Sequence, residues 1–97
     1  MIKHIVMFRR KAGVAFQAGL EQGLVERMRG LNKQVDCIRE WRLQANEVDR
    51  PISWHYVLES SFDNVDALNE YLFHPVHQAL IADLKPYFEW GAVDYTA

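Results

Sequence analysis

The chain lacks the features of a membrane protein or of a disulfide-bonded secreted domain. Cys37 is its single cysteine, which excludes an internal disulfide and a multi-cysteine metal site and fits a reducing cytoplasm. The apolar run at residues 5–8 is far shorter than the ~20 residues of a membrane span or the hydrophobic part of a signal peptide. We therefore expect a soluble, unprocessed, cytoplasmic protein with no membrane partner.

The chain also has no large excess of positive or negative charge. Its net charge is -2 at pH 7, and its basic residues cluster only at positions 9–11. A nucleic-acid-binding protein would carry a larger positive surface, so we expect no nucleic-acid partner. Internal repeats, low-complexity tracts and linkers are missing as well, so residues 1–97 are expected to form a single domain, small enough for its stability to benefit from association.

What the sequence does contain is a regular alternation of apolar and polar side chains, which is typical of half-buried strands. Four segments show it: residues 2–8, 35–45, 52–62 and 88–95. Apolar residues at helical spacing predict a helix over residues 15–31 and a helix pair over residues 63–85. Asp63, followed by Asp66, resembles a capping box at the start of that pair, and we expect the break between its helices at His74.

The resulting order, β-α-β-β-α(α)-β, predicts an α+β, ferredoxin-like fold with helices on one face of a four-stranded antiparallel sheet. The other face of that sheet would be bare. Because the first and last strands carry apolar side chains on both sides, the bare face predicts a homodimer joined sheet to sheet. The alternative is a monomer with scattered exposed apolar residues.

The histidines are the main functional signal. Pro75 fits the first turn of a helix, with His74 as its cap and His77 in that first turn. Apolar residues follow His77 at offsets of three, four and seven, so its imidazole is expected to face inward, where His4 of the first strand could share one pocket with it. Histidine exchanges protons near neutral pH, although an inward imidazole can also be a hydrogen-bonded core or cap residue.

Several segments together resemble the stress-responsive dimeric α/β-barrel (Dabb) family. They are the opening IKHIVMF at residues 2–8, Phe-Asp at 62–63 leading to Ala-Leu at 67–68, YLFHPVH at 71–77, and Val-Asp-Tyr at 93–95. The most specific part is the His-Pro-x-His run in combination with a histidine on the first strand. The resemblance covers nearly the whole chain.

This resemblance implies a dimeric α+β barrel with a pocket between sheet and helices in each subunit. Most members have no assigned reaction, but some relatives are polyketide cyclases, whose site residues correspond to His4, Tyr71 and His77. Their aldol chemistry requires no metal and no cofactor. We expect a small, largely apolar ligand against walls that include Trp41, Phe73 and Leu80.

The leading hypothesis is cofactor-independent acid/base chemistry on a keto compound. His77 would be the base, His4 would orient or relay the proton, and Tyr71 would donate to an oxygen. One alternative is a non-catalytic ligand-binding or structural stress-response dimer, in which the histidines only satisfy each other and the backbone. Another is a haem-binding, monooxygenase-like barrel with His77 or His55 on iron. An open cavity that reaches both His4 and His77 would favour the first hypothesis.

Overall fold

The computed structural model describes all 97 residues and has the predicted order of elements, with a 3-10 turn added after the first helix. None of its helices combines the length and the apolar character needed to cross a membrane. The elements are β1 Ile2–Arg10, α1 Ala18–Arg29, the 3-10 turn Leu31–Lys33, β2 Glu40–Ala45, β3 Tyr56–Phe62, α2 Val65–Leu72, α3 Pro75–Leu84 and β4 Phe88–Thr96.

The four strands form one antiparallel sheet in the order β2-β3-β1-β4. Strand β1 lies between β3 and β4, so His4 is opposite Ser60 on one side and Asp94 on the other. Every second residue of β1 from His4 to Phe8 is buried. The predicted ferredoxin-like α+β fold is confirmed.

The hydrophobic core lies between this inward face of the sheet and the helices. It contains 14 buried residues, and the largest fully buried side chains among them are Phe62, Phe88, Met28 and Leu84. Burial of each such side chain stabilises the fold by about 1.5–3 kcal/mol. No helix covers the outward face, where Met7, Val93 and Tyr95 are 43%, 64% and 49% exposed.

The two consecutive helices begin at side-chain caps. His74 caps α3 as predicted, because its Nδ1 accepts a hydrogen bond of 3.1 Å from the Val76 N–H. The predicted cap of α2 is wrong by one residue: Asn64 accepts from the Ala67 N–H at 2.8 Å, while Asp63 pairs with Arg39. The break between the helices turns the chain so that the first turn of α3 faces the sheet.

Three predicted boundaries are wrong because loop residues imitate the alternation of a strand or the spacing of a helix. The second strand begins at Glu40, and the buried Val35 belongs to a turn in which its carbonyl accepts from the Ile38 N–H. The third strand begins at Tyr56, and the first helix begins at Ala18. In each case the backbone hydrogen bonds, rather than the side-chain pattern, set the limits of the element.

Candidate functional site

One cavity of about 290 Å³ lies between the sheet and the helices. Its walls include His4 from β1, Tyr71 from the last turn of α2 and His77 from the first turn of α3. Hydrophobic side chains make up 13 of the 17 lining residues, so a ligand would meet a mainly apolar surface with a few polar groups. The structure thus brings together the three side chains that the sequence singled out.

His4 is held by a carboxylate from the neighbouring strand. Its Nδ1 contacts Oδ1 of Asp94, the residue directly opposite it in the β1–β4 pairing. A carboxylate accepts, so Nδ1–H donates, which leaves Nε2 without a partner in the chain. The imidazole is 7% exposed and the carboxylate 46%, so Asp94 connects a buried ring to the solvent side of the cavity.

Asp94 was missed by the site prediction, although the sequence carried a signal for it. Trp90, Ala92 and Asp94 alternate along β4, so all three side chains lie on one face of the strand. Antiparallel pairing of β4 with β1 then puts Asp94 next to His4. The pairing register is a tertiary property, and alternation alone could not identify the partner of His4.

The imidazole of His77 is fixed by the backbone. Its Nδ1 lies 2.9 Å from the carbonyl oxygen of Leu72, which can only accept a hydrogen bond. Nδ1 therefore carries the proton, and in the neutral ring Nε2 has the free lone pair. Burial lowers the pKa of His77, and the nearby His4 and His74 act in the same direction, while the bond to Leu72 opposes them. A neutral His77 is a proton acceptor at neutral pH.

Tyr71 lies between the two histidines. Its ring centroid is 4.4 Å from that of His77 and 6.1 Å from that of His4. The side chain is 2% exposed, and its hydroxyl makes no hydrogen bond within the chain, yet no fully enclosed polar side-chain atom lacks a partner. The hydroxyl is therefore open to the cavity. Burial raises the pKa of Tyr71, so the phenol stays protonated and can donate.

Two of the three predicted wall residues line the cavity, and one does not. Trp41 and Leu80 are part of the wall, and the Trp41 indole N–H donates to the Met28 carbonyl at 3.0 Å, which fixes the ring. The structure does not bring Phe73 to this cavity: it is 76% exposed and is absent from the lining residues. Phe73 is the C-terminal cap of α2, one residue beyond the helix, so its side chain leaves the inward stripe.

The two proposed haem ligands lie in different places. His77 faces the cavity, whereas His55 lies outside it and accepts a hydrogen bond of 3.0 Å from the Arg10 backbone N–H. No three or more His, Cys, Asp or Glu side chains are grouped so that they could hold a metal ion. Cys37 is half-buried, its Sγ lies 3.4 Å from the Ala67 carbonyl oxygen, and burial raises the pKa of its thiol.

Comparison with known proteins places the chain among relatives of the same size. An uncharacterised protein of Streptomyces coelicolor is 37% identical over 95 residues, which are 98% of each chain. A dimeric protein of unknown function with a ferredoxin-like fold from Bacteroides fragilis superposes with a TM-score of 0.85 at 28% identity, over 99% of this chain and 95% of that one.

A hydroxynitrile lyase from Passiflora edulis superposes with a TM-score of 0.81 at 17% identity, over 97% of this chain and 90% of that one. At this level of identity the likeness shows the shared fold alone. The model of the stress responsive A/B barrel domain matches residues 2–97. With a match that spans the four strands, the helices and the cavity between them, the chain belongs to the stress responsive A/B barrel domain (Dabb) family.

Proposed function

We propose that this protein is a homodimer that binds a small, largely apolar keto compound and moves a proton on it without a cofactor. The observation that carries the proposal is the cavity of about 290 Å³, which both imidazoles and the Tyr71 hydroxyl reach. Histidines that merely satisfied each other would close against one another and leave no such space. Three unpaired polar atoms at one hollow can instead act on a ligand.

The chemistry follows from which atoms are free. Nε2 of neutral His77 takes a proton from the carbon next to the carbonyl, and the electron pair of that C–H bond moves towards the carbonyl oxygen. The Tyr71 hydroxyl donates to that oxygen as its negative charge develops. Because the site is largely apolar, each of these interactions is stronger than it would be in water.

His4, oriented by Asp94, is a second group that can transfer a proton at the site. The Asp94 carboxylate orients the His4 ring through Nδ1 and stabilises the ring when it becomes an imidazolium. From that imidazolium, Nε2–H of His4 can deliver its proton to the enolate, and the ring returns to its neutral form. This makes Asp94 a positioning residue, which acts through His4 rather than on the ligand.

Deuterium exchange tests the proposal directly. We expect the protein to accelerate exchange of the CH2 protons of phenylacetone in D2O, followed by proton NMR. Loss of the base in His77→Ala should slow the catalysed rate about 100-fold or more, and Tyr71→Phe, which keeps the ring, should slow it about 100-fold. His55→Gln is the matched control, since His55 lies outside the cavity. Equal rates for the wild type and His77→Ala would contradict proton transfer.

A binding protein without chemistry is the second candidate, and the apolar lining favours it. Hydrophobic residues dominate the wall, and every fully enclosed polar side-chain atom already has a partner. The two candidates separate in one experiment, because Trp41 and Trp90 line the cavity and report ligand binding by fluorescence. Saturable binding of phenylacetone with no catalysed exchange would identify a binding protein.

The homodimer is supported by the outward face of the sheet and by the dimeric relative from Bacteroides fragilis. Met7, Val93 and Tyr95 are exposed there, and a second copy would bury them. We expect Val93→Lys to produce monomers in analytical ultracentrifugation. Val65→Lys is the control, because Val65 is also exposed but lies on α2. A wild-type protein that sediments as a monomer would contradict the dimer.

A further inference from the structure

The three elements that line the cavity each change from polar to apolar in the same direction. On β1 the inward residues run from His4 to Phe8, and on the antiparallel β4 they run from Asp94, opposite His4, to Trp90, opposite Phe8. Helix α3 runs from His77 to Leu84 and ends just before β4 begins. The cavity therefore has one polar end and one apolar end.

The polar end carries no net positive charge. No lysine or arginine lines the cavity, and the one carboxylate in its wall is Asp94. The His4–Asp94 pair is negative or neutral overall, whichever protonation state His4 adopts, and burial lowers the pKa of His77. An anionic ligand would lose its water shell here without meeting a net positive charge in exchange.

The apolar end limits the length of a ligand that the cavity can hold. Phe8 lies four residues beyond His4 along the strand, which corresponds to about 13 Å at a rise of ~3.3 Å per residue. The rings of Phe8 and Trp90 lie beside each other there, with centroids 5.8 Å apart. A ligand bound at His4 thus has a hydrocarbon body that points towards this aromatic pair.

We propose that the cavity selects neutral ligands over anionic ones and holds them in one orientation, with a single oxygen-bearing end at His4, Tyr71 and His77 and the apolar body towards Trp90. The inference rests on the proposed function for the site and adds the class of ligand. A ketone, aldehyde or phenol fits, whereas a carboxylic acid or a phosphate ester of the same shape does not. The Asp94 carboxylate is the main source of the discrimination.

Paired ligands test the charge selection on the wild-type protein. Straight-chain methyl ketones and carboxylates of equal chain length are titrated at pH 7.5 and followed by tryptophan fluorescence. We expect each ketone to bind at least about tenfold more tightly than its carboxylate, as a buried unpaired charge requires. Asp94→Asn should reduce the ratio of ketone affinity to carboxylate affinity several-fold. Carboxylates that bind as tightly as ketones, or no binding by either series, would overturn the inference.

Chain length tests the orientation. Ketone affinity should rise about fourfold for each added methylene and stop rising once the chain reaches Trp90. Trp90→Ala should move that limit to longer chains, while Trp54→Ala is the control because Trp54 stacks with Arg9 outside the cavity. A length limit that Trp90→Ala leaves unchanged would overturn the orientation.

These titrations test ligand selection separately from proton transfer, because they measure binding and involve no turnover. Selective ketone binding without catalysed exchange contradicts only proton transfer. Catalysed exchange together with equal binding of ketones and carboxylates contradicts only the charge selection.

Discussion

The two ends of β1 both carry polar side chains between the sheet and the helices, but they differ in what those side chains contact. At the Arg10 end, the guanidinium donates to both oxygens of Glu21 at 2.7 Å, and the Tyr56 hydroxyl donates to the same carboxylate at 2.5 Å. At the His4 end, the Tyr71 hydroxyl and the two Nε2 atoms have no partner within the chain.

The difference separates a structural cluster from a binding site. Burial acts to raise the pKa of Glu21, but the hydrogen bonds from Arg10 and Tyr56 outweigh it and lower the pKa overall, so the carboxylate is ionised and fully engaged. Such a cluster holds α1 against the sheet. The His4 end leaves its donors and acceptors open at a cavity, where a ligand can pair with them.

Removing the carboxylate at the Arg10 end should have the largest effect on folding. Glu21→Ala leaves Arg10 and the Tyr56 hydroxyl without their partner, and we expect a loss of about 2–3 kcal/mol in the free energy of unfolding. Urea denaturation measures this. The control is Glu26→Ala on the exposed side of α1, which should stay within about 0.5 kcal/mol. A similar loss in both variants would mean that the Arg10 cluster is not a structural anchor.

Between pH 8 and 5, the stability of the fold should depend on pH through His77 at the His4 end, unlike at the Arg10 end, where the carboxylate is already ionised. Because burial lowers the pKa of His77, the unfolded chain binds a proton below about pH 6.5 that the folded chain does not bind. Stability is then complete above pH 6.5 and falls as the pH drops, by at most about 1.4 kcal/mol per pH unit. Urea midpoints from pH 8 to 5 should fall less steeply in His77→Gln. Identical slopes would show that His77 is protonated as easily when folded as when unfolded.

The rigidity of the cavity wall can be tested at Trp41. Trp41→Phe removes the donor to the Met28 carbonyl while keeping an aromatic ring, so we expect a loss of about 1 kcal/mol in the free energy of unfolding. Trp54→Phe, at an indole outside the cavity, provides the comparison and should cost less. An unchanged stability in Trp41→Phe would show that this hydrogen bond does not hold the wall.

The smallest effect on stability is expected at Tyr71. Because its hydroxyl has no partner in the chain, Tyr71→Phe should change the free energy of unfolding by less than about 0.5 kcal/mol, although it should slow catalysed exchange strongly. Tyr56→Phe is the matched variant at the Arg10 end and should be the more destabilising of the two, since its hydroxyl bonds to Glu21. The reverse order would erase the distinction between the two ends.

The His4 end of this contrast could be predicted in part from the sequence, whereas the cluster of Arg10, Glu21 and Tyr56 could not. The His-Pro-x-His run was enough to predict the cap at His74 and the inward His77, because proline and capping geometry act over a few residues. Phe73, in the same run, was predicted to line the pocket, but it lies one residue beyond the end of α2 and its side chain is exposed to solvent. Local signals thus specified the turn and did not specify each side-chain direction.

The amino-acid sequence by itself determined the order of the strands and helices and most of their inward positions, since the two-residue period of a strand and the 3.6-residue period of a helix are local properties. Only the tertiary structure decided that Asp94 faces His4, that Glu21 binds Arg10 and Tyr56, and that a cavity remains beside His77. These features depend on strand register and on how the helices pack against the sheet, which join residues far apart in the chain.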